Sequence, residues 1–270
     1  MARSSRAEPL HEELPDIFDV PAAVLCARCG QPDCAGCEDP AELEGSGVVA
    51  IVPWERPGGT WTRLWATARA TTLGAETFFS ALPDGPVRRA ATFAVLAELL
   101  AVGSMAVLLV PVVALVLPGL AAAIVSDPHL RSRAIVFMAL GVPALAVWMA
   151  FAHAAHGVAL DAGARRNGGR SQRRRAIRFG LYACGWDLMS GPLGAIAAAF
   201  TEGRKAAGEA LSASMRVPAR ATLALLQGVY ALSPASATRA RKWGMGAAIV
   251  VTVVSAFVVL AGAVVLYKLS

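Results

Sequence analysis

The chain has 270 residues, 56% of them hydrophobic and only 16% charged, where an ordinary soluble domain is about a quarter charged. Its net charge of +6 is uneven: residues 1–47 hold ten acidic and three basic side chains, −7, and the remainder carries +13. This excludes a typical soluble globule. The cations lie in short stretches between apolar runs, which points to membrane topology rather than to nucleic acid.

Residues 1–22 contain Glu8, Glu12, Glu13, Asp16 and Asp19. They read as an acidic disordered arm, without the basic start and apolar run of a signal peptide. The N-terminus is therefore expected in the cytoplasm, where thiols stay reduced. Residues 23–47 carry Cys26, Cys29, Cys34 and Cys37 as two CxxC pairs, followed by a linker rich in Glu and Gly. Each pair presents two thiolates from one tight turn, and two pairs complete a tetrahedral all-sulfur set for structural zinc. Such a unit is too small for its own core, so metal binding would drive its ordering. An iron–sulfur cluster or two disulfides remain as alternatives. The first lacks the usual ferredoxin spacing, and the second requires an exported N-terminus.

Residues 48–85 read as an interfacial amphipathic region. Within 60–80 the positions Trp61, Leu64, Trp65, Ala68 and Leu73 form an apolar stripe, with Arg63 and Arg69 off it. Trp54, Trp61 and Trp65 beside arginines suit the headgroup level. Residues 86–270 read as a transmembrane helical bundle. The 36 residues from Ala90 to Val125 are nearly all apolar, with Glu98 and Ser104 standing out, long enough for one crossing of about 20 residues plus a tail kinked at Pro111 and Pro118. A loop at 126–133, a second span over 134–160 and an arginine-rich loop follow. A third apolar segment, 177–200, is interrupted by Asp187 and Gly191-Pro192. Residues 201–220 are amphipathic, 219–232 are a short apolar stretch, and 244–267 are a clean final span. Basic loops on the cytoplasmic side fit five crossings, or three with 177–232 not crossing or re-entrant. Arg173, Arg174 and Arg175 are expected to anchor the topology and meet anionic lipid.

Four titratable residues lie inside apolar segments: Glu98, His153, His156 and Asp187. Glu98, His156 and Asp187 each sit nine residues from a boundary arginine, hence roughly 13 Å deep. They are expected to meet in one intramembrane polar layer. Two stripes of small residues, one running from Asp187 through Gly191, Ala195, Ala199 and Gly203 and one of Ala146, Ala150 and Ala154, mark close helix approaches. They also permit a homo-oligomer. Cys184, alone in an apolar segment, reads as a buried thiol. Nucleotide-binding loops, HExxH and nucleophile-elbow patterns are absent from the sequence.

Glu76-Thr-Phe-Phe-Ser-Ala-Leu-Pro83 and Pro86-Val-Arg-Arg-Ala90, leading into the first span, resemble prokaryotic members of the Yip family of multi-pass membrane proteins. Asp187-Leu-Met-Ser-Gly-Pro-Leu193 resembles the Asp-Leu-Tyr-Gly-Pro motif of eukaryotic members, with Met-Ser for Tyr and in a different place. The resemblance covers roughly 60–267 and implies a five-span protein that binds partners or organises membrane, without enzymatic activity. Richness in Ala, Arg, Gly and Val suits the inner membrane of a high-GC bacterium. The leading expectation is an adaptor that recruits a cytoplasmic partner through the zinc knuckle. The alternative is a small ion- or proton-coupled transporter working through Glu98, His156 and Asp187.

Overall fold

The computed structural model describes residues 25–26, 48–201, 203 and 216–269, with side chains for 50–200, 203, 216–257 and 261. The acidic arm and Cys29, Cys34 and Cys37 fall outside the described residues. Cys26 enters only through its backbone, in a two-residue ladder of Leu25–Cys26 with Val48–Val49, antiparallel, with Cys26 opposite Val48. Everything else of regular structure among the described residues is helical.

α1 spans Thr60–Thr72 and α2 Ala75–Ser80, so the single helix expected over 60–80 is broken at Gly74. The face that α1 buries is Leu64, Thr67, Ala68, Thr71 and Thr72, while Trp61 and Leu73 are 57% and 52% exposed. α3 spans Val87–Val116 and runs through Pro111. It ends at Leu117, and α4 (Pro118–Ser126) restarts on a proline at its first position, where the missing N–H costs nothing. α5 spans Pro128–Arg166. The loop expected over 126–133 shrinks to Asp127, whose carboxylate caps α5 by accepting from the backbone N–H of His129 at 2.8 Å. Asn167 and Gly168 end α5, Gly168 with φ +95°.

α6 spans Arg173–Ser190 and α7 Pro192–Thr201. The break falls at Gly191, extended with ψ 174°, as the residue before a proline prefers. α8 spans Val217–Gly228 and α9 Pro234–Leu269.

Three helices are long and apolar enough to cross a membrane: α3, α5 and α9. α3 alone is 30 residues, about 45 Å, against a hydrocarbon core of about 30 Å. Of the five or three crossings expected, the described residues contain three helices long and apolar enough to cross. α8, with 12 residues, is about 18 Å and too short to cross. α6 is apolar for a different reason: Phe179, Leu181, Tyr182, Ala183, Cys184, Trp186 and Leu188 are buried in protein.

The core is concentrated at one end of the spans. Phe78 and Phe79 from α2, Phe93 from α3, and Phe179, Tyr182 and Trp186 from α6 form an aromatic cluster, edge-to-face except for the tilted Phe93–Tyr182 pair. Leu225 and Leu226 of α8 and Ala237 and Ala240 of α9 belong to the same core. The far halves of α3, α5 and α9 show the opposite pattern. Leu115, Val116, Ile135, Leu140, Ile249 and Val250 are all more than 60% exposed. In lipid no hydrophobic force drives such side chains together. In water it drives the burial that builds the base, at roughly 1.5–3 kcal/mol per large side chain.

The three spans share this base at one end. Glu98 of α3 faces His153 of α5, Arg166 of α5 stacks on Trp243 of α9 at 4.2 Å, and Trp148 donates to Ser255 at 2.7 Å. α5 is therefore antiparallel to both α3 and α9.

Candidate functional site

α5 and α6 approach until their backbones touch. A Cβ on Gly157 of α5 would overlap the carbonyl of Ala176, and one on Gly180 of α6 would overlap the carbonyl of His153. This crossing fixes how the next turns face one another. Four and seven residues along α6 from Gly180, the side chains of Cys184 and Asp187 share one face of the helix. They meet His153 from α5 and Glu98 from α3.

His153 is the centre of the resulting node. Its Nε2 lies 2.8 Å from Asp187 Oδ2 and 3.5 Å from Glu98 Oε1. Cys184 Sγ completes a group with Glu98 and His153 in which the donor atoms lie within 4.8 Å of one another. Glu98 is 1% exposed, and its Oε1 has no hydrogen-bond partner. Cys184 is fully buried. The side chain of Asp187 is 37% exposed and forms the open rim. The node sits where the buried base gives way to the bare halves of the spans.

Glu98 and Asp187 thus meet as their common depth predicts, but through His153 rather than His156. His156, one turn along α5, is turned away from the node, its ring stacked on Phe179 of α6 at 6.2 Å and its Nε2 without a partner. It also faces Gly244 of α9. Of the small-residue stripes, Ala146 and Ala150 are buried, while the tightest approach is made by Gly157 and Gly180.

The expected interfacial residues divide. Trp54 is 7% exposed, and its indole N–H donates to the carbonyl of Arg89 at 2.8 Å, so it is a core residue and not a headgroup anchor. Trp61 is exposed and edge-on to the half-buried Trp65 at 5.8 Å. Arg173 and Arg174 are exposed and Arg175 is partly buried. Arg174 and Arg88 flank an open cleft of about 720 Å³ together with Asp84, Gly85, Pro86 and Val87.

Two polar clusters escaped sequence reading. Arg178 is completely buried. It donates to both carboxylate oxygens of Glu55, at 2.8 and 3.3 Å, and Tyr182 donates to Glu55 Oε1 at 2.8 Å. Burial first, and then the bond to Glu55, push the Tyr182 hydroxyl well above its ordinary pKa. Asp161, 3% exposed, accepts from Tyr230, Ser171 and the backbone N–H of Gln172. It ties the end of α5 to the start of α6 and to the turn before α9. Burial and this bond raise Tyr230 in the same direction. Asp161 directly follows the apolar run 134–160, at the start of the arginine-rich stretch, where an acidic residue reads as part of a polar loop.

The chain matches no family model, no curated protein and no solved structure.

Proposed function

We propose that the chain is a non-enzymatic membrane protein of the bacterial inner membrane, Yip-like in organisation, that anchors a helical base on the cytoplasmic face and recruits a cytoplasmic protein partner. The observation that carries this reading is the distribution of the core. Packing lies in the base, while α3, α5 and α9 expose apolar surface over their far halves. A helical base on bare spans is the layout of an anchor: the spans hold, and the base presents.

The recruiting element is the zinc knuckle of Cys26, Cys29, Cys34 and Cys37. The ladder that pairs Cys26 with Val48 supports it, because the linker then returns directly to Ala50, whose N–H donates to the carbonyl of Ala81 at 2.9 Å. The knuckle would so be held against the base. Basic side chains around the base, among them Arg88 and Arg174 at the open cleft, support a cytoplasmic base by the positive-inside rule and suit anionic lipid headgroups.

Elemental mass spectrometry of detergent-purified protein tests the knuckle: Cys26→Ser with Cys29→Ser should lose one zinc per chain. Proximity labelling in cells tests recruitment. Neighbours labelled equally by wild type and the double variant would sink the adaptor reading.

A second reading, ion- or proton-coupled transport, is favoured by the chain of contacts from Glu98 through His153 to Asp187. Proton flux in proteoliposomes decides it. Under transport, Glu98→Ala and Asp187→Ala abolish flux; under anchoring, wild type and variants alike show none.

A further inference from the structure

We propose that Glu98, His153, Cys184 and Asp187 form a binding site for a divalent transition-metal ion of the zinc class, separate from the N-terminal cysteines. Three helices supply the donors: a carboxylate from α3, an imidazole from α5, and a thiol and a second carboxylate from one face of α6.

The distances are those of a site before its ion draws it in. A tetrahedral ion with bonds of roughly 2.0–2.3 Å holds its donors roughly 3.3–3.8 Å apart. His153 Nε2 is already 3.5 Å from Glu98 Oε1 and 2.8 Å from Asp187 Oδ2. The Cys184 Sγ is within 4.8 Å of both the imidazole and the Glu98 carboxylate. Shifts of about an ångström at side-chain ends close the set of Glu98, His153 and Cys184, and Asp187 joins through its contact with His153.

An independent observation points the same way. Glu98 Oε1 is buried without any hydrogen-bond partner, in a residue 1% exposed. A buried carboxylate oxygen left unpaired is costly, and an ion at the node removes that cost. Asp187, the least buried of the four donors, is the side from which an ion enters.

The donor set defines the ion. Thiolate and imidazole select zinc or cobalt over magnesium or calcium, which prefer all-oxygen shells. On binding, the Cys184 thiol gives its proton to solvent and ligates as thiolate. His153 ligates through Nε2 with its proton at Nδ1, and Asp187 passes from hydrogen-bond partner to fellow ligand.

Cobalt(II) is the probe. In a full-length chain with Cys26, Cys29, Cys34 and Cys37 all changed to Ser, one equivalent of cobalt should bind and give a thiolate-to-cobalt charge-transfer band. Zinc should displace it and magnesium should not. Adding Cys184→Ser should abolish the band, and Glu98→Gln should weaken binding by about tenfold or more. Absence of the band in the Ser background, or a band indifferent to Cys184→Ser, overturns the site. If the Ser background fails to fold, the native chain gives the answer. There, Cys184→Ala with Glu98→Gln must lower bound cobalt by one equivalent, and unchanged stoichiometry refutes the proposal.

Discussion

Arg178 lies 123 residues from Glu55 in sequence, and their pair is the main charged contact inside the base. The guanidinium is fully buried and the carboxylate only 18% exposed, so neither is repaid by solvent. Removing one partner of such a pair strands the other, at about 3–5 kcal/mol, while an apolar replacement of both is far milder. Arg178→Met should therefore destabilise the base by about 3 kcal/mol. Combining it with Glu55→Met should recover most of that loss, as read by chemical unfolding in detergent. Additive losses would show that the pair is not a unit. Gly85 belongs to the same arrangement, because a Cβ there would overlap the guanidinium. None of this was legible in sequence. Arg178 closes a run of seven arginines from Arg165, and a run of cations reads as a topology signal at every member. Only tertiary structure separates the buried one from the rest.

The buried tyrosines predict a response to alkali. Tyr182 and Tyr230 have folded-state pKa values raised above the ordinary value of about 10. A raised value means that the folded state holds the proton more tightly than the unfolded chain. Their contribution is then complete below pH of about 10 and lost progressively above it. The melting temperature of the base should fall above pH of about 10, and the fall should be shallower in a Tyr182→Phe, Tyr230→Phe variant. An identical pH profile in that variant would refute this assignment.

At the scale of elements, the crossing of α5 on α6 decides where the node lies. Gly157 and Gly180 each face a carbonyl of the opposite helix, and a backbone cannot step aside as a side-chain end can. Gly157→Ala or Gly180→Ala gains up to about 1 kcal/mol of helix propensity. It still forces the helices apart, an overpacking that costs about 1–3 kcal/mol. Net destabilisation is expected, together with weaker cobalt binding, because His153 and the Cys184–Asp187 face then separate. Gly246→Ala is the control, since nothing lies within 4 Å of a Cβ there. Equal behaviour of the Gly157 and Gly246 variants would refute the crossing. The sequence shows why the node was half legible. Counting 1.5 Å per residue fixes depth, which puts Glu98 and Asp187 at one level, and both approach His153. It does not fix the direction in which a side chain leaves its helix. His153 and His156 differ by about 60° around α5, and the crossing turns His153 to α3 and α6 and His156 to Phe179. Hydropathy had the same limit for α6, because burial in protein and burial in lipid select the same residues.

At the scale of the whole molecule, the question is how many times the chain crosses and which end faces the cytoplasm. The uninterrupted apolar runs of α3, α5 and α9 were legible because a span must satisfy every backbone group within itself and stay apolar for about 20 residues. The base was not legible, since it is assembled from short helices and from the near ends of the spans themselves. Its packing implies a definite topology. α3 leaves the base, α5 returns to it, and α9 leaves again. If α5 crosses, Asp127, between α4 and α5, lies on the opposite side of the membrane from Gly168, between α5 and α6. The cations favour the base side as cytoplasmic: Arg88, Arg165, Arg166, Arg170 and Arg174 gather there, against Arg131 and Arg133 at the far turn. In a chain whose five native cysteines are changed to Ser, a membrane-impermeant thiol reagent applied to intact spheroplasts should label Asp127→Cys and Ser270→Cys. It should reach Gly168→Cys only after lysis. Labelling of Asp127→Cys and Gly168→Cys from the same side would refute the three-span arrangement. Exact reversal of the pattern would keep the three spans and place the base, with the knuckle beside it, outside the cytoplasm. The four N-terminal thiols would then face oxidation rather than zinc, and the adaptor reading would fall with the orientation.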